Sequence, residues 1–101
     1  MHDFRHVPVA LSPFARVRGL IGRRELFLFI PRCAAVHTWF MRDAIDLVFL
    51  DERAVVVAIR SAAPWRLFFG PHGTHSVLEL PPGHAAGIAL SEGEQVTVAW
   101  P

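Results

Sequence analysis

The sequence has few of the features that would place it in a function class at once. It contains one cysteine, Cys33, and no lysine, because all ten cationic side chains are arginine. A single cysteine cannot form an intramolecular disulfide, so the sequence predicts no covalent cross-link within the chain. A reactive thiol assisted by His37 is an alternative role for Cys33, but no recognisable nucleophile motif surrounds it.

Long apolar runs and a secretion signal are also missing. No stretch reaches the length of a membrane span, and the start, Met-His-Asp-Phe-Arg-His, lacks a basic segment followed by an apolar one. Ten arginines and nine acidic residues give a formal net charge of +1, which does not indicate binding to nucleic acid or to a membrane surface. We therefore predict a cytoplasmic, monomeric protein without nucleic-acid or membrane partners.

What the sequence does contain is enough apolar material for one domain. The chain has 101 residues, of which 52% are hydrophobic. A chain of this size and composition can bury a single core without disulfides or a structural metal. We predict one domain over residues 1–101.

The spacing of the apolar residues predicts one helix followed mostly by short strands. Ser12 and Pro13 form a helix start and Gly22 ends the helical period. The pattern then predicts strands, a polar hairpin turn at residues 51–53, and a short helical turn at about 81–90. The predicted strands cover residues 26–30, 36–41, 45–50, 54–59, 65–69, 76–80 and 95–100.

Many short strands with a helix near each end indicate a mainly β fold of the α+β class. We expect a small antiparallel β-barrel or a strongly curled sheet with two short helices that cover its open ends. A β-sandwich is the main alternative. Closure is favoured because about seven short strands would otherwise leave apolar edges without a partner.

Charged side chains within an apolar segment, residues 37–51, mark the strongest candidate site. Asp46 shares a strand face with Val48 by two-residue alternation, so its carboxylate loses hydration on folding and needs a partner or a ligand. A structural account pairs Asp46 with Arg23 or Arg42. A functional account places the same groups at the floor of a pocket for an anionic or hydroxyl-rich ligand.

Glu79 is a second candidate for a buried carboxylate, since it stands between Leu78 and Leu80. Together with Asp46 it could supply acid and base groups for glycoside hydrolysis, which requires a carboxylate separation of about 5–10 Å. Strand positions alone do not supply that distance. The ordinary interpretation is that Glu79 accepts hydrogen bonds at the end of the sheet.

Ring side chains provide the remaining candidates. His37 precedes Trp39 on a predicted strand and is interpreted as a hydrogen-bonded residue at the core edge. Trp65 follows a proline and stands beside Arg66, which makes it the best candidate for an exposed stacking surface.

A metal site is a weak alternative. His72, His75 and Glu79 form a His-x-x-His-x-x-x-Glu spacing that could supply ligands. It is not a recognised zinc signature, because the surrounding prolines and glycines exclude the helix on which the metalloprotease pattern lies. We predict no metal and no cofactor.

Three segments together resemble the bacterial and archaeal family catalogued as domain of unknown function 192. Residues 16–23, Arg-Val-Arg-Gly-Leu-Ile-Gly-Arg, are similar to its Arg-x-x-Gly-Leu-Met-x-Arg helix end. Residues 37–51 resemble its Met-(Lys or Arg) segment and the Pro-(Ile or Leu)-Asp-(Ile or Val)-x-Phe-(Ile or Leu)-Asp core that follows. Residues 77–83, Val-Leu-Glu-Leu-Pro-Pro-Gly, are similar to its Val-Leu-Glu-x-x-x-Gly block.

Besides Ile21, which stands where the family usually has methionine, the sequence departs from that family pattern at two further places. Asp43-Ala44 stands where the family usually has a proline before Ile-Asp, and Ala89 stands where a glycine is common. The second change raises the question of whether the turn at Ala89 keeps a positive φ. The resemblance implies a compact, mostly β fold with short helices, and it implies no agreed activity.

These observations favour a binding module without catalytic activity for a small polar or anionic ligand or a peptide. No glycine-rich phosphate loop, nucleophile elbow or established metal motif is found in the sequence. A hydrolase that uses Asp46 and Glu79 or a histidine-bound metal is the first alternative, and a structural or partner-docking domain is the second. The predicted binding residues are Arg23, His37, Arg42, Asp46, Glu79 and Trp65.

Overall fold

The computed structural model describes residues 2–10, 27–38 and 43–99, and every structural statement below concerns those residues. They form short strands and one short helix. The strands are β1 (Asp3–Phe4), β2 (Leu28–Ile30), β3 (Ala35–His37), β4 (Ile45–Leu50), β5 (Val56–Ala62), β6 (Leu67–Phe69), β7 (Ser76–Leu80) and β8 (Thr97–Val98), and the helix is α1 (His84–Gly87).

Four of the strands form a central antiparallel sheet in the order β2-β7-β4-β5. Every residue of β4 and of β7 is buried. Such complete burial is typical of a short, continuous apolar segment with neighbours on both edges and both faces. The predicted hairpin between β4 and β5 is confirmed, and the Asp51 carboxylate accepts hydrogen bonds from the amides of Arg53 and Val55 at 2.8 and 3.0 Å.

Alternation along β4 divides the core into two clusters, one on each face of the central sheet. Ile45, Leu47 and Phe49 belong to one cluster, and Val48 and Leu50 belong to the other. Successive residues of a strand point to opposite faces, so the sequence pattern alone assigns these residues correctly.

Two smaller sheets lie beside the central sheet. β1 pairs with β8 in parallel, and β3 pairs with β6 antiparallel. We call the β3–β6 pair the ribbon. Its inner side chains, Val36 and Phe68, pack on the first cluster, whereas Leu67 and Phe69 are exposed.

The mainly β class is confirmed, but the predicted barrel is not supported. In the described ranges the strands are divided among three separate sheets, and β2 and β5 are the outer strands of the central sheet without a ladder between them. The number of short strands indicated a β fold correctly. It did not indicate which strands pair, because pairing depends on contacts between residues far apart in the sequence.

The prediction of two helices is supported only for the second. α1 covers four residues within the predicted range 81–90, and the helix predicted at residues 12–22 lies outside the described part. α1 is short because left-handed residues bound it on both sides, Gly83 with φ 79° and Ala89 with φ 56°.

None of the helical segments in the described ranges is both long enough and apolar enough to span a membrane.

Candidate functional site

Asp46 lies on β4 at the point where the central sheet meets α1. Only 6% of this residue is exposed. Its Oδ1 accepts a hydrogen bond from the Gly83 amide at 3.2 Å, and its Oδ2 accepts one from the Ala85 amide at 3.0 Å. The first amides of a helix have no partner within the helix, so a carboxylate placed there satisfies them. Asp46 therefore caps α1 from a neighbouring strand.

The local sequence explains why this cap comes from a distant residue. After Pro81 and Pro82 the chain turns at Gly83, whose φ of 79° is readily adopted only without a Cβ. The His84 amide closes the turn on the carbonyl of Pro81 at 3.1 Å. Gly83 occupies the N-cap position and has no side chain to cap the helix, so Asp46 supplies the missing acceptors.

These amide contacts give Asp46 partners that the sequence did not predict. A buried carboxylate is tolerated when hydrogen bonds replace its lost hydration, and two backbone amides supply them here. Arg23 and Arg42 lie outside the described residues, so their predicted pairing with Asp46 stays a prediction. The predicted burial of Asp46 is confirmed.

Glu79 is fully buried, but on the other face of the central sheet. Asp46 pairs with Leu80, and the next residue of β4, Leu47, pairs with Glu79. Paired residues on adjacent strands point to the same face and successive residues to opposite faces. Asp46 and Glu79 therefore project from opposite faces, and the acid–base pair considered for a hydrolase is not formed by these two residues.

His72 and His75 are exposed in the loop before β7, whereas Glu79 lies inside the sheet. Among the residues that the structure describes, no three histidine, cysteine, aspartate or glutamate side chains are placed to hold a metal ion together. The structure therefore does not support the alternative metal site.

His37 lies on β3 of the ribbon, and Trp65 lies in the turn that precedes β6. His37 is partly buried on β3, opposite Leu67. Trp65 is 62% exposed and has a φ of 62°, and its amide donates to the carbonyl of Thr38 at 2.9 Å. The predicted exposure of Trp65 is confirmed. Asp46 and Glu79 thus lie on opposite faces of the central sheet, His37 lies on β3, and Trp65 lies in the turn before β6. The four described candidates do not form one cluster.

An open cavity of about 450 Å³ lies beside α1. His84, the first residue of α1, contributes to its wall and meets the ring of Phe27 edge-on, with ring centroids 5.0 Å apart and an interplanar angle of 86°. Because the Gly83 and Ala85 amides flank His84, the Asp46 cap holds the backbone on both sides of this wall residue. The lining residues are Asp3, Phe4, His6, Val7, Pro8, Phe27 and His84.

The carboxylate of Asp3, which lines this cavity, forms an ion pair with Arg5. The Arg5 guanidinium donates to both carboxylate oxygens at 3.0 and 2.8 Å, and the Arg5 amide adds a third bond at 2.9 Å. The side-chain hydrogen bond from Arg5 holds the pKa of Asp3 well below its ordinary value. The described part of the lining also contributes two imidazoles, those of His6 and His84.

Sequence reasoning missed this cavity entirely. His6 and His84 lie near opposite ends of the chain, and neither stands in a recognisable motif. The short parallel pairing of β1 with β8, with Asp3 opposite Thr97, fixes the N-terminal segment beside the C-terminal part of the chain. No local sequence pattern predicts the pairing of two strands so far apart in the chain.

Comparison with known proteins gives the family. A family model described as DUF192, uncharacterized ACR, matches residues 2–98. The chain belongs to the domain of unknown function 192 family. The resemblance noted in the sequence is therefore confirmed.

The curated relatives that match this chain are UPF0127 proteins, an uncharacterised family. The chain is 38% identical over 98 residues to a UPF0127 protein of Thermococcus sibiricus, which covers 89% of this chain and 64% of that protein. It is 32% identical over 63 residues to a UPF0127 protein of Pyrococcus abyssi, covering 62% of this chain and 54% of the relative. The chain thus spans less than two thirds of the length of these relatives.

Two solved structures share the fold. A proposed transcription regulator from Sinorhizobium meliloti superposes with a TM-score of 0.75 at 20% identity, covering 86% of this chain and 76% of that one. A protein of unknown function from Novosphingobium aromaticivorans gives a TM-score of 0.73 at 22% identity, covering 86% and 70%. These likenesses establish the fold and transfer no activity.

Proposed function

We propose that this chain is a binding module without catalytic activity, and that it holds a small anionic ligand with an apolar body in the cavity beside α1. The observation that carries the proposal is the composition of the cavity wall, which combines apolar side chains with two imidazoles. Small-molecule sites typically have volumes of about 300–1,000 Å³, a mostly apolar lining and a few convergent polar groups. The volume of about 450 Å³ lies within that range.

The lining favours an anionic group over a cationic one. Protonated imidazoles carry positive charge and donate two hydrogen bonds each, and neutral imidazoles still donate one. Among the described residues of the lining the carboxylate is that of Asp3, which is paired with Arg5 and so adds little net negative charge. Phe4 and Phe27 offer apolar ring surface for the body of the ligand. A small ring-bearing carboxylate combines both requirements.

Asp46 has a supporting role in this proposal. It does not line the cavity, but its carboxylate fixes the turn that carries His84. We assign it to positioning the wall of the site. A contribution from Arg23 or Arg42 to anion binding stays a prediction.

Titration with benzoate tests the proposed ligand class, with benzyl alcohol as the uncharged control of similar shape. Followed by amide NMR, benzoate is expected to shift the signals of His6, Phe27 and His84 with a Kd of about 1 mM, as befits a very small ligand. Benzyl alcohol should bind more weakly.

Matched histidine variants locate the site. His84→Ala should weaken benzoate binding at least about fivefold, which corresponds to about 1 kcal/mol. It should leave the Asp46 cap intact, because that cap involves backbone amides. His72→Ala, at an exposed histidine outside the cavity, should leave the affinity unchanged. Equal losses in both variants, or no shifts among the lining amides, would contradict the proposal.

A further inference from the structure

The outer face of the ribbon is strongly apolar. Leu67 is 53% exposed and Phe69 is 73% exposed, and Trp65 stands exposed in the turn before them. The middle residue of β6, Phe68, points inward and packs on the first core cluster. Two large exposed apolar side chains, separated by the half-buried Phe68, form one continuous apolar face on a three-residue strand.

The same two residues present hydrogen-bonding groups at the edge of the ribbon. The amide of Thr38 donates to the carbonyl of Arg66 at 2.8 Å, and the amide of Gly70 donates to the carbonyl of Ala34 at 2.7 Å. In an antiparallel pair the backbone groups of alternate residues face the partner strand. Those of Leu67 and Phe69 therefore face away from β3, and in the described part of the chain β6 pairs with β3 alone.

We propose that this edge pairs with the β6 edge of a second copy of the chain. The pairing is antiparallel about a twofold axis at Phe68, so that Leu67 of each copy lies opposite Phe69 of the other. The N–H and C=O groups of both residues then form four hydrogen bonds. The two ribbons become one four-stranded sheet in the order β3-β6-β6-β3.

A second copy suits this edge better than an arbitrary strand because β6 is complementary to itself in that register. A leucine faces a phenylalanine twice, and such aliphatic–aromatic pairs stabilise adjacent strands. Arg66 falls opposite Gly70, so the two arginines do not face each other across the twofold axis. An isolated two-stranded ribbon is marginally stable, and exposed apolar edges favour pairing with another chain.

The interface is small, so the association is weak. An aromatic side chain contributes roughly 150–250 Å² when covered, and a stable interface buries about 1,200 Å² or more in total. Leu67 and Phe69 are already partly covered, at 53% and 73% exposed, so these two side chains from each copy bury less than that amount. We therefore expect a dimer that forms reversibly with a Kd of the order of 100 µM.

Sedimentation equilibrium of the full chain, from about 10 µM to 1 mM, tests the pairing. The mass should rise from one copy towards two over this range. Leu67→Arg and Phe69→Glu should each weaken association at least about tenfold, because each removes an apolar contact twice in the dimer. Ala86→Arg adds a charge at an exposed position of α1 and should leave association unchanged. Thermal melts of all three variants should match the native chain, since each position is exposed.

Mixing the two ribbon variants tests the register. Leu67→Arg and Phe69→Glu should associate as an equimolar mixture while each alone stays monomeric. In the mixed dimer the introduced cation lies opposite the introduced anion, and the other Leu67–Phe69 pair is intact. A native chain that stays monomeric at 1 mM would overturn the proposal. So would a dimer that survives Leu67→Arg, or a mixture that associates no better than its components.

Discussion

The central sheet and the ribbon contain similar apolar segments in opposite environments. β4 reads Ile-Asp-Leu-Val-Phe-Leu and is buried at all six residues, although one of them is an aspartate. β6 reads Leu-Phe-Phe and leaves two of its three residues exposed. β4 has a strand on each edge and a core cluster on each face, whereas β6 has one described neighbour, β3. Burial of a strand is therefore decided by its neighbours and not by its own composition.

The difference has opposite consequences for polar and apolar side chains. Inside the central sheet a buried carboxylate needs hydrogen bonds that replace its hydration, and two backbone amides supply them to Asp46. On the ribbon, apolar side chains remain available for contacts with another molecule. The first region stabilises the fold, and the second offers a surface.

Replacing one phenylalanine in each region provides the largest expected contrast. Phe49→Ala empties a fully buried position in β4 and should lower the free energy of unfolding by about 3–5 kcal/mol. Phe69→Ala removes the same atoms from a side chain that is 73% exposed and should cost less than about 0.5 kcal/mol in dilute protein. Urea unfolding of both variants measures the difference. Similar losses would show that the ribbon face is covered in solution.

Removing the Asp46 carboxylate should have the next largest effect. Asp46→Ala leaves the Gly83 and Ala85 amides without their acceptor and should destabilise the fold by about 2–3 kcal/mol. Asp43→Ala, at an exposed aspartate just before β4, should cost less than about 0.5 kcal/mol. Thermal unfolding compares the two. If the Asp46 variant is as stable as the Asp43 variant, the carboxylate does not support the fold.

Substitution of Gly70, which lies between the ribbon and the central sheet, should have the third largest effect on stability. A Cβ at Gly70, just after β6, would clash with Thr74 and would lie 2.7 Å from Cδ1 of Phe49 in the central sheet. Gly70→Ala should therefore cost about 2 kcal/mol. Gly87→Ala in α1 meets no atom within 4 Å and should stabilise the helix by up to about 1 kcal/mol. Opposite signs in chemical denaturation are the expected result, and a loss in both would refute this packing argument.

The smallest effect is expected at Ala89, which adopts a φ of 56° after α1. Left-handed backbone is unfavourable for a residue with a Cβ, so Ala89→Gly should stabilise the fold by about 0.5–1 kcal/mol. Ala86→Gly inside α1 should destabilise it by a similar amount, because glycine is a poor helix residue. Differential scanning calorimetry should show melting temperatures that move in opposite directions. A lower melting temperature for Ala89→Gly would contradict the strain at this turn.

Local pattern predicted much of the central sheet. Two-residue alternation assigned Asp46 to the face of Val48 and predicted its burial, and the polar segment after Leu50 predicted the hairpin. The alanine at residue 89, where the family commonly has glycine, also raised the question of a left-handed turn. The structure has that turn, with the positive φ that glycine would adopt easily. These features depend on residues close together in the sequence.

The rest depends on contacts across long sequence separations. Nothing near Asp46 shows that Gly83 and Ala85 will place their amides on its carboxylate, and nothing near His6 shows that His84 will share a cavity with it. Strand spacing likewise predicted a strand at β6 but not that its apolar residues would stay exposed. Periodicity reports the two faces of a strand and gives no information about what covers them.

Hydrogen exchange at the Ala85 amide tests the central claim most directly, namely that Asp46 caps α1 and so fixes the wall of the cavity. This amide lies in the first turn of α1, where the helix itself offers no acceptor, and its hydrogen bond runs to Oδ2 of Asp46. We predict that the amide is protected in the native chain and that Asp46→Ala abolishes this protection. Exchange at the rate of an open peptide in the native chain, or protection that persists in the variant, would contradict the account.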